Sequence, residues 1–310
     1  MVDYPDSDAS GLVHKTGGIN QGVWPTTWSY IKHGPGHMAM YTLGRFNSFR
    51  TIAVSLNHLQ NPPVHYSLND QTALQPTVVS DAVAQLKRDG AYRDLCLTES
   101  ALEELSDFCN ANKCLGDGNP EYSFHWTEKS LAESKYGKRF ALAHYSNLMS
   151  RCQAANKLAH DPILCSIARG YFDAEPVLIA VRAWWSFATN DGPQANNGQT
   201  YHFDIDGYRS VAFFFYLTDV DSSSGAHIYI RGSHLHKRVS HLMSLHKSRS
   251  DREIEEFYPA DDIRVICGKA GTGFAEDTFC FHKGSAPLLR DRLMLQVRFG
   301  LRDYGTGRED

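Results

Sequence analysis

The chain has 310 residues, 42% of them hydrophobic, and a formal net charge of −4. That length is ample for a sizeable core in one large domain or two small ones. The mild negative charge gives no electrostatic case for nucleic acid or an anionic membrane as partner, and the longest apolar runs, such as 211–217, fall far short of a membrane span.

Residues 1–75 are rich in Gly, Pro, Asn, His and Ser, as in Thr16-Gly17-Gly18 and Asn61-Pro62-Pro63. Such breakers predict an irregular N-terminal arm, with one strand near Thr51–Leu56. Its scattered aromatic residues favour packing onto the rest of the molecule. A helical support region is expected over 76–172. Val79, Val83 and Leu86 stand at helical spacing, and Asp89-Gly90 ends that helix. Ala91–Leu97 reads as a short strand. Thr98 is placed to cap a second helix, and 111–138 reads as polar turns. A third helix is expected from Phe140 to Leu158. Asp161-Pro162 starts a fourth, reaching about Tyr171.

From Glu175 the character changes. Pro176–Trp185 is β-branched and aromatic, and strand-like segments recur at Tyr201–Ile205, Ser210–Leu217, His227–Ile230, Arg264–Cys267, Gly273–Phe281 and Arg292–Leu301. Many short strands with Gly-rich turns predict a sandwich or barrel over 173–305. The polar, mixed-charge segment 234–262 reads as an insertion on one rim, with a helix at Asp251–Phe257. In Phe213-Phe214-Phe215-Tyr216 successive side chains alternate faces, so two of the four should line the interior. Lys237-Arg238 and Lys247–Arg252 read as a solvated face, and Trp184-Trp185 as core.

The seven cysteines are odd in number and form no C-x-x-C pair. They read as free thiols in a reducing cytoplasm, and no secretory signal is expected. Fifteen histidines are more than a chain this long usually carries. Only His202-Phe203-Asp204 forms a His-x-Asp or His-x-Glu. On a strand, residues two apart share a face, so the imidazole and carboxylate can aim at one point. Two ligands are too few for a metal. A further histidine, His282, closes the apolar segment Gly273–Phe281 and precedes Gly284. Arg292 follows at the start of the last strand, where a guanidinium fork can hold a carboxylate.

Taken in order, Gln199-x-x-His202-x-Asp204, Tyr216–Val220 with Gly225, Gly232-Ser233-His234, His282-x-Gly284 and the following arginine resemble the phytanoyl-CoA dioxygenase family. The resemblance spans roughly 175–301, with a weaker echo over 78–170. It implies a mainly β fold with flanking helices and a double-stranded β-helix (jelly-roll) core, the whole chain forming one domain. It implies an Fe(II)/2-oxoglutarate-dependent dioxygenase, using O2 to hydroxylate a C–H of a small-molecule substrate and releasing succinate and CO2. His202, Asp204 and His282 would ligate iron. Arg292 would pair with the distal carboxylate of 2-oxoglutarate, with Arg290 as alternative because the spacing after His282 is one residue short of the family's common value. Gln199 would touch the co-substrate's other end. The competing expectations are a non-catalytic jelly-roll binding protein and a metal-dependent jelly-roll enzyme that does not use 2-oxoglutarate.

Overall fold

Alternation of side chains along eleven strands builds two antiparallel sheets in a computed structural model that describes residues 34–63, 72–189, 198–244 and 248–305. The strands are β1 (Ala91–Cys96), β2 (Cys114–Gly116), β3 (Ser123–Phe124), β4 (Leu142–His144), β5 (Val177–Ser186), β6 (Ser210–Tyr216), β7 (His227–Ile230), β8 (Ile263–Ile266), β9 (Thr272–Glu276), β10 (His282–Gly284) and β11 (Arg292–Gly300). The large sheet has the order β1-β9-β6-β11-β5-β4-β2-β3, and the small one β10-β7-β8. This is a jelly-roll core with flanking helices. No helix among the described residues is long and apolar enough to cross a membrane.

Strand parity sorts the large sheet's side chains between two cores. Phe213 and Phe215 of β6, with Leu293, Leu295 and Val297 of β11, pack against the helices. Phe214 and Tyr216 turn the other way, meeting Phe274, Met294 and the small sheet's Tyr229 and Ile266. Two of the four aromatic residues therefore line the interior, as alternation requires. Every residue of β6 is buried, because this strand is covered on both faces. Burial of each Phe ring here contributes about 1.5–3 kcal/mol.

The helices cover the large sheet's outer face. Pro162–Phe172 begins as its sequence predicts: Asp161 Oδ1 accepts from Ile163 N at 2.9 Å and Leu164 N at 3.4 Å. Its Oδ2 accepts from Ala73 N and the Thr72 hydroxyl at 2.7 and 2.8 Å, so one carboxylate joins a helix start to a remote segment. Thr98 caps Glu99–Ala111 through Ala101 N at 3.4 Å. Helix Val79–Asp89 closes on Gly90 at φ 81°. A Cβ there would sit 2.3 Å from Cys280 Sγ, so glycine is demanded by both conformation and space.

Several expectations give way. The irregular arm expected over 1–75 contains two helices, Pro35–Leu43 and Asn47–Gln60, and the latter replaces the strand expected at Thr51–Leu56. Its β-branched residues are overruled by helical spacing of the anchors. Arg50 pairs with Asp277, Val54 packs on the core, and Asn57 Nδ2 donates to Leu301 O at 3.4 Å. Residues 1–33 lie outside the described residues, so the breakers at 16–18 are not placed. The helix expected over Phe140–Leu158 is broken. Leu142–His144 is drawn into β4 by the edge of β5 that β11 leaves unpaired, and Asn147 at φ 52° precedes two short helices, Leu148–Arg151 and Gln153–Ala159. The turns expected over 111–138 hold β2, β3 and the helix Lys129–Tyr136. The strand expected over Gly273–Phe281 stops at Glu276, because Asp277 takes the next amides: its Oδ1 accepts from Phe279 N and its carbonyl from Cys280 N.

The segment between β7 and β8 carries helices Val239–Met243 and Asp251–Phe257. The solvated face expected here is partly wrong. Lys237 turns inward, with Nζ donating to Ser233 O at 2.7 Å and to Phe279 O. It lies 4.1–4.9 Å from the ring centroids of Phe203, Phe279 and Phe281. Arg249 is buried too. Lys247 lies outside the described residues.

Candidate metal centre

The site is built on one backbone pairing. His202 N donates to His282 O at 2.9 Å and His282 N to His202 O at 2.8 Å. Residues so paired in an antiparallel ladder sit directly opposite, with side chains on one face. The two imidazole centroids are 4.4 Å apart. The ladder expected over Tyr201–Ile205 is reduced to isolated bridges, His202 to His282 and Tyr201 to Arg249. His282 opens β10 rather than ending an apolar strand. Asp204 follows two residues after His202, its N donating to Thr278 O at 2.8 Å, and this returns its carboxylate to the same face. One ligand atom from each of His202, Asp204 and His282 lies within 4.8 Å of the others.

Both imidazoles are oriented by the backbone. Nδ1 of His202 is 2.9 Å from Thr200 O, and Nδ1 of His282 is 3.1 Å from Cys280 O. A carbonyl accepts only, so Nδ1 is the donor and Nε2 is left to face the cavity. Nε2 of His282 lies 3.9 Å from Asp204 Oδ2. Burial pulls the His282 imidazole down to about 4, which keeps it in the neutral form a metal requires.

Strand parity brings further side chains to the same cavity, of about 220 Å³. Arg182 and Trp184 come from β5, Phe214 from β6, and Arg292, Met294 and Gln296 from β11. Cross-strand register sets Trp184 beside Met294 and Arg182 beside Gln296. Trp185, one residue on, faces the helices, its Nε1 donating to the Tyr145 hydroxyl at 2.9 Å. The pair expected as core is thus split between core and cavity.

Arg292 is 5% exposed, and its guanidinium donates to Ser186 Oγ at 3.0 Å and to Gly225 O. Neither is an acid, Nε has no hydrogen-bond partner, and no carboxylate pairs with this arginine among the described residues. Gly284 admits it, since a Cβ there would stand 3.2 Å from Nη2. The alternative, Arg290, is half-exposed, pairs with Asp221 and lines a different cleft with Asp219 and Lys269. Spacing alone left the two open; strand position separates them. Gln199 is buried but is not among the cavity-lining residues, so the structure does not bring it to the other four.

Two residues of the site were not anticipated. Glu276 ends β9 with no exposed surface. Its Oε2 lies 2.5 Å from His227 Nε2 and its Oε1 3.4 Å from His282 Nδ1. Burial pushes the Glu276 carboxyl up to about 8 and holds His227 down to about 3. The available signal was an acid inside the apolar run Gly273-Phe274-Ala275, since an unpaired carboxylate is rarely buried without reason.

No protein-family model matches the chain, and no curated protein matches it by sequence. Solved structures superpose on part of the chain. The epimerase SnoN from nogalamycin biosynthesis, in complex with Fe3+, alpha ketoglutarate and nogalamycin RO, superposes with a TM-score of 0.49 at 13% identity, covering 71% of this chain and 82% of that one. HygX from Streptomyces hygroscopicus, with nickel and 2-oxoglutarate bound, gives 0.49 at 14% identity over 72% and 87%. AviO1 from Streptomyces viridochromogenes Tue57 gives 0.46 at 13% identity over 73% and 96%. At such identities the likeness concerns fold alone. The likeness to phytanoyl-CoA dioxygenases remains one of motifs.

Proposed function

We propose that this protein is an iron(II)- and 2-oxoglutarate-dependent oxygenase, and that it hydroxylates a C–H bond of a small molecule. One observation carries the reading: a His–Asp–His donor set and a buried guanidinium that has no acid partner among the described residues line the same cavity. Two neutral imidazoles and one carboxylate suit iron(II), and three donors leave half of an octahedron open. A buried cation calls for a buried anion. A five-carbon diacid answers both demands, one end at the metal and the other at Arg292.

The residues divide the work. His202 and His282 present Nε2, Asp204 presents a carboxylate oxygen, and Arg292 receives the distal carboxylate in a charge-assisted pair. Iron, when bound, supplies the chemistry in which 2-oxoglutarate is oxidatively decarboxylated by O2 to succinate and CO2 and the substrate is oxidised. Phe214, Trp184 and Met294 keep water from the reacting atoms. Arg182, with His144 stacked on Trp184 at 6.5 Å between centroids, forms the outer wall that meets the substrate. Asp204 favours hydroxylation over halogenation, because oxygenases that halogenate leave that carboxylate position free for a halide. All seven cysteines are free, in keeping with a reducing cytoplasm.

The test is anaerobic. Adding 2-oxoglutarate to the iron(II)-loaded protein should produce a weak visible charge-transfer band, and succinate should form on admitting air. If metal binds but no band appears, a metal enzyme that does not use 2-oxoglutarate is favoured. If neither metal nor co-substrate binds, the fold serves as a binding protein. Replacing His202, Asp204 or His282 by Ala should each abolish metal retention; unchanged metal content would remove that residue from the ligand set.

A further inference from the structure

Behind the donor set stands a buried group that the proposed reaction does not itself call on. Glu276 Oε1 has no exposed surface and no hydrogen bond among the described residues, yet it lies 3.4 Å from His282 Nδ1. Its partner oxygen is held by His227, whose ring stacks on that of His282 at 5.6 Å and 21°. Phe274 and Phe214 pack on the other sides of His227, at 4.8 and 5.3 Å between centroids. The glutamate is wholly enclosed, with no exposed surface. The two histidines of the donor set are therefore not equivalent. His202 is backed by one carbonyl, Thr200 O. His282 is backed by Cys280 O and, on the same nitrogen, by a carboxyl oxygen in want of a donor.

We propose that Glu276, braced by His227, is a positioning residue for His282: its Oε1 takes up the Nδ1–H when a divalent metal binds at Nε2, fixing the ring's orientation and strengthening it as a donor. An acceptor behind a ligating imidazole fixes its tautomer and raises its basicity, and loss of such a partner typically costs 10–100-fold in metal affinity. The brace extends beyond the site. The next residue, Asp277, faces away and is held by Arg50 at 3.0 Å and by the Tyr171 hydroxyl at 2.6 Å. The backbone that carries Glu276 is thus clamped from the helical side while its side chain reaches the donor set. The inference rests on the metal-centre reading above, and its test separates the two.

The experiment is a competition titration of the metal-free full chain with nickel(II) against a chelator, with thermal melting of the same samples as a folding control. Glu276→Met, which removes the acceptor at similar volume, should weaken nickel binding about 10–100-fold. Glu276→Gln keeps an acceptor oxygen and should recover most of the affinity. A purely structural role would not distinguish the two variants in affinity at equal melting temperature. Should the Met variant fail to fold, the wild type still decides. In the zinc-loaded protein the Nδ1 proton of His282 should resonate further downfield than that of His202, and equal positions would overturn the proposal. Nickel binding by the Met variant within twofold of wild type also overturns it, while leaving the metal centre intact. A wild-type chain that binds no divalent metal overturns both.

Discussion

At the scale of single residues, the site turns on where charges are left unpaired. Arg292 is a buried cation whose partners among the described residues are a hydroxyl and a carbonyl. Its guanidinium should therefore matter more to anion affinity than to folding. Arg292→Lys should weaken 2-oxoglutarate binding about 10–100-fold, the worth of a charge-assisted bidentate pair, while iron content stays unchanged; calorimetric titration of wild type and variant checks this. Arg290→Ala should leave both unchanged, because that side chain is spent on Asp221 at the surface. Lys237 gives a pH test. Burial pulls its ammonium down to about 7, although two carbonyls and three ring faces favour the charged form. The folded state then sheds a proton that the unfolded chain retains up to about 10.5. The unfolded state binds more protons across that window, so this lysine's contribution to stability rises with pH above 7. The difference in denaturant midpoint between wild type and Lys237→Met should shift in favour of wild type from pH 7 to 9. A pH-independent difference would mean that the lysine stays charged in the folded state.

At the scale of elements, local chemistry and long-range pairing compete, and each wins where it is stronger. Asp161-Pro162 is a helix start on any reading, because Pro fixes the first turn and Asp supplies the acceptor. The structure adds that the same carboxylate holds Ala73 and Thr72. Asp161→Ala should thus cost more than an ordinary cap, about 2–4 kcal/mol in chemical denaturation, since it also orphans the half-buried amide of Ala73. The segment from Phe140 shows the opposite outcome. Its composition favours a helix, but β5 offers hydrogen bonds to Leu142–His144, and three residues become a strand. Sequence spacing carried no sign of that vacancy. The early end of β9 is similar: the apolar run continues to Phe281, but Asp277 turns the chain by taking the next amides itself.

At the scale of the molecule, one ion pair ties helix Asn47–Gln60 to the core. Arg50 and Asp277 are 4% and 2% exposed in their side chains and meet at 3.0 Å across 227 residues of chain. Arg50 also covers the Phe279 ring at 3.9 Å. Removing one member of a buried pair strands the other's charge, so Arg50→Ala should lower stability by about 3–5 kcal/mol. Because Asp277 adjoins Glu276, the loss should also loosen metal binding, and equilibrium denaturation with metal titration reads both.

The sequence by itself determined what depends on residue type and short spacing. The alternation in 211–217, the caps at Thr98 and Asp161, the turn at Gly90 and the His202-x-Asp204 pair are local rules of strand, helix and ligand chemistry, and the structure keeps the elements they specify. Tertiary structure alone decided that His202 and His282 lie directly opposite, that Arg292 rather than Arg290 faces the cavity, that Gln199 does not, and that Glu276 stands behind a histidine. These depend on strand pairing across tens of residues, where a shift of one place turns each side chain to the other face. Nothing in the spacing along one chain records which partner strand will set that register.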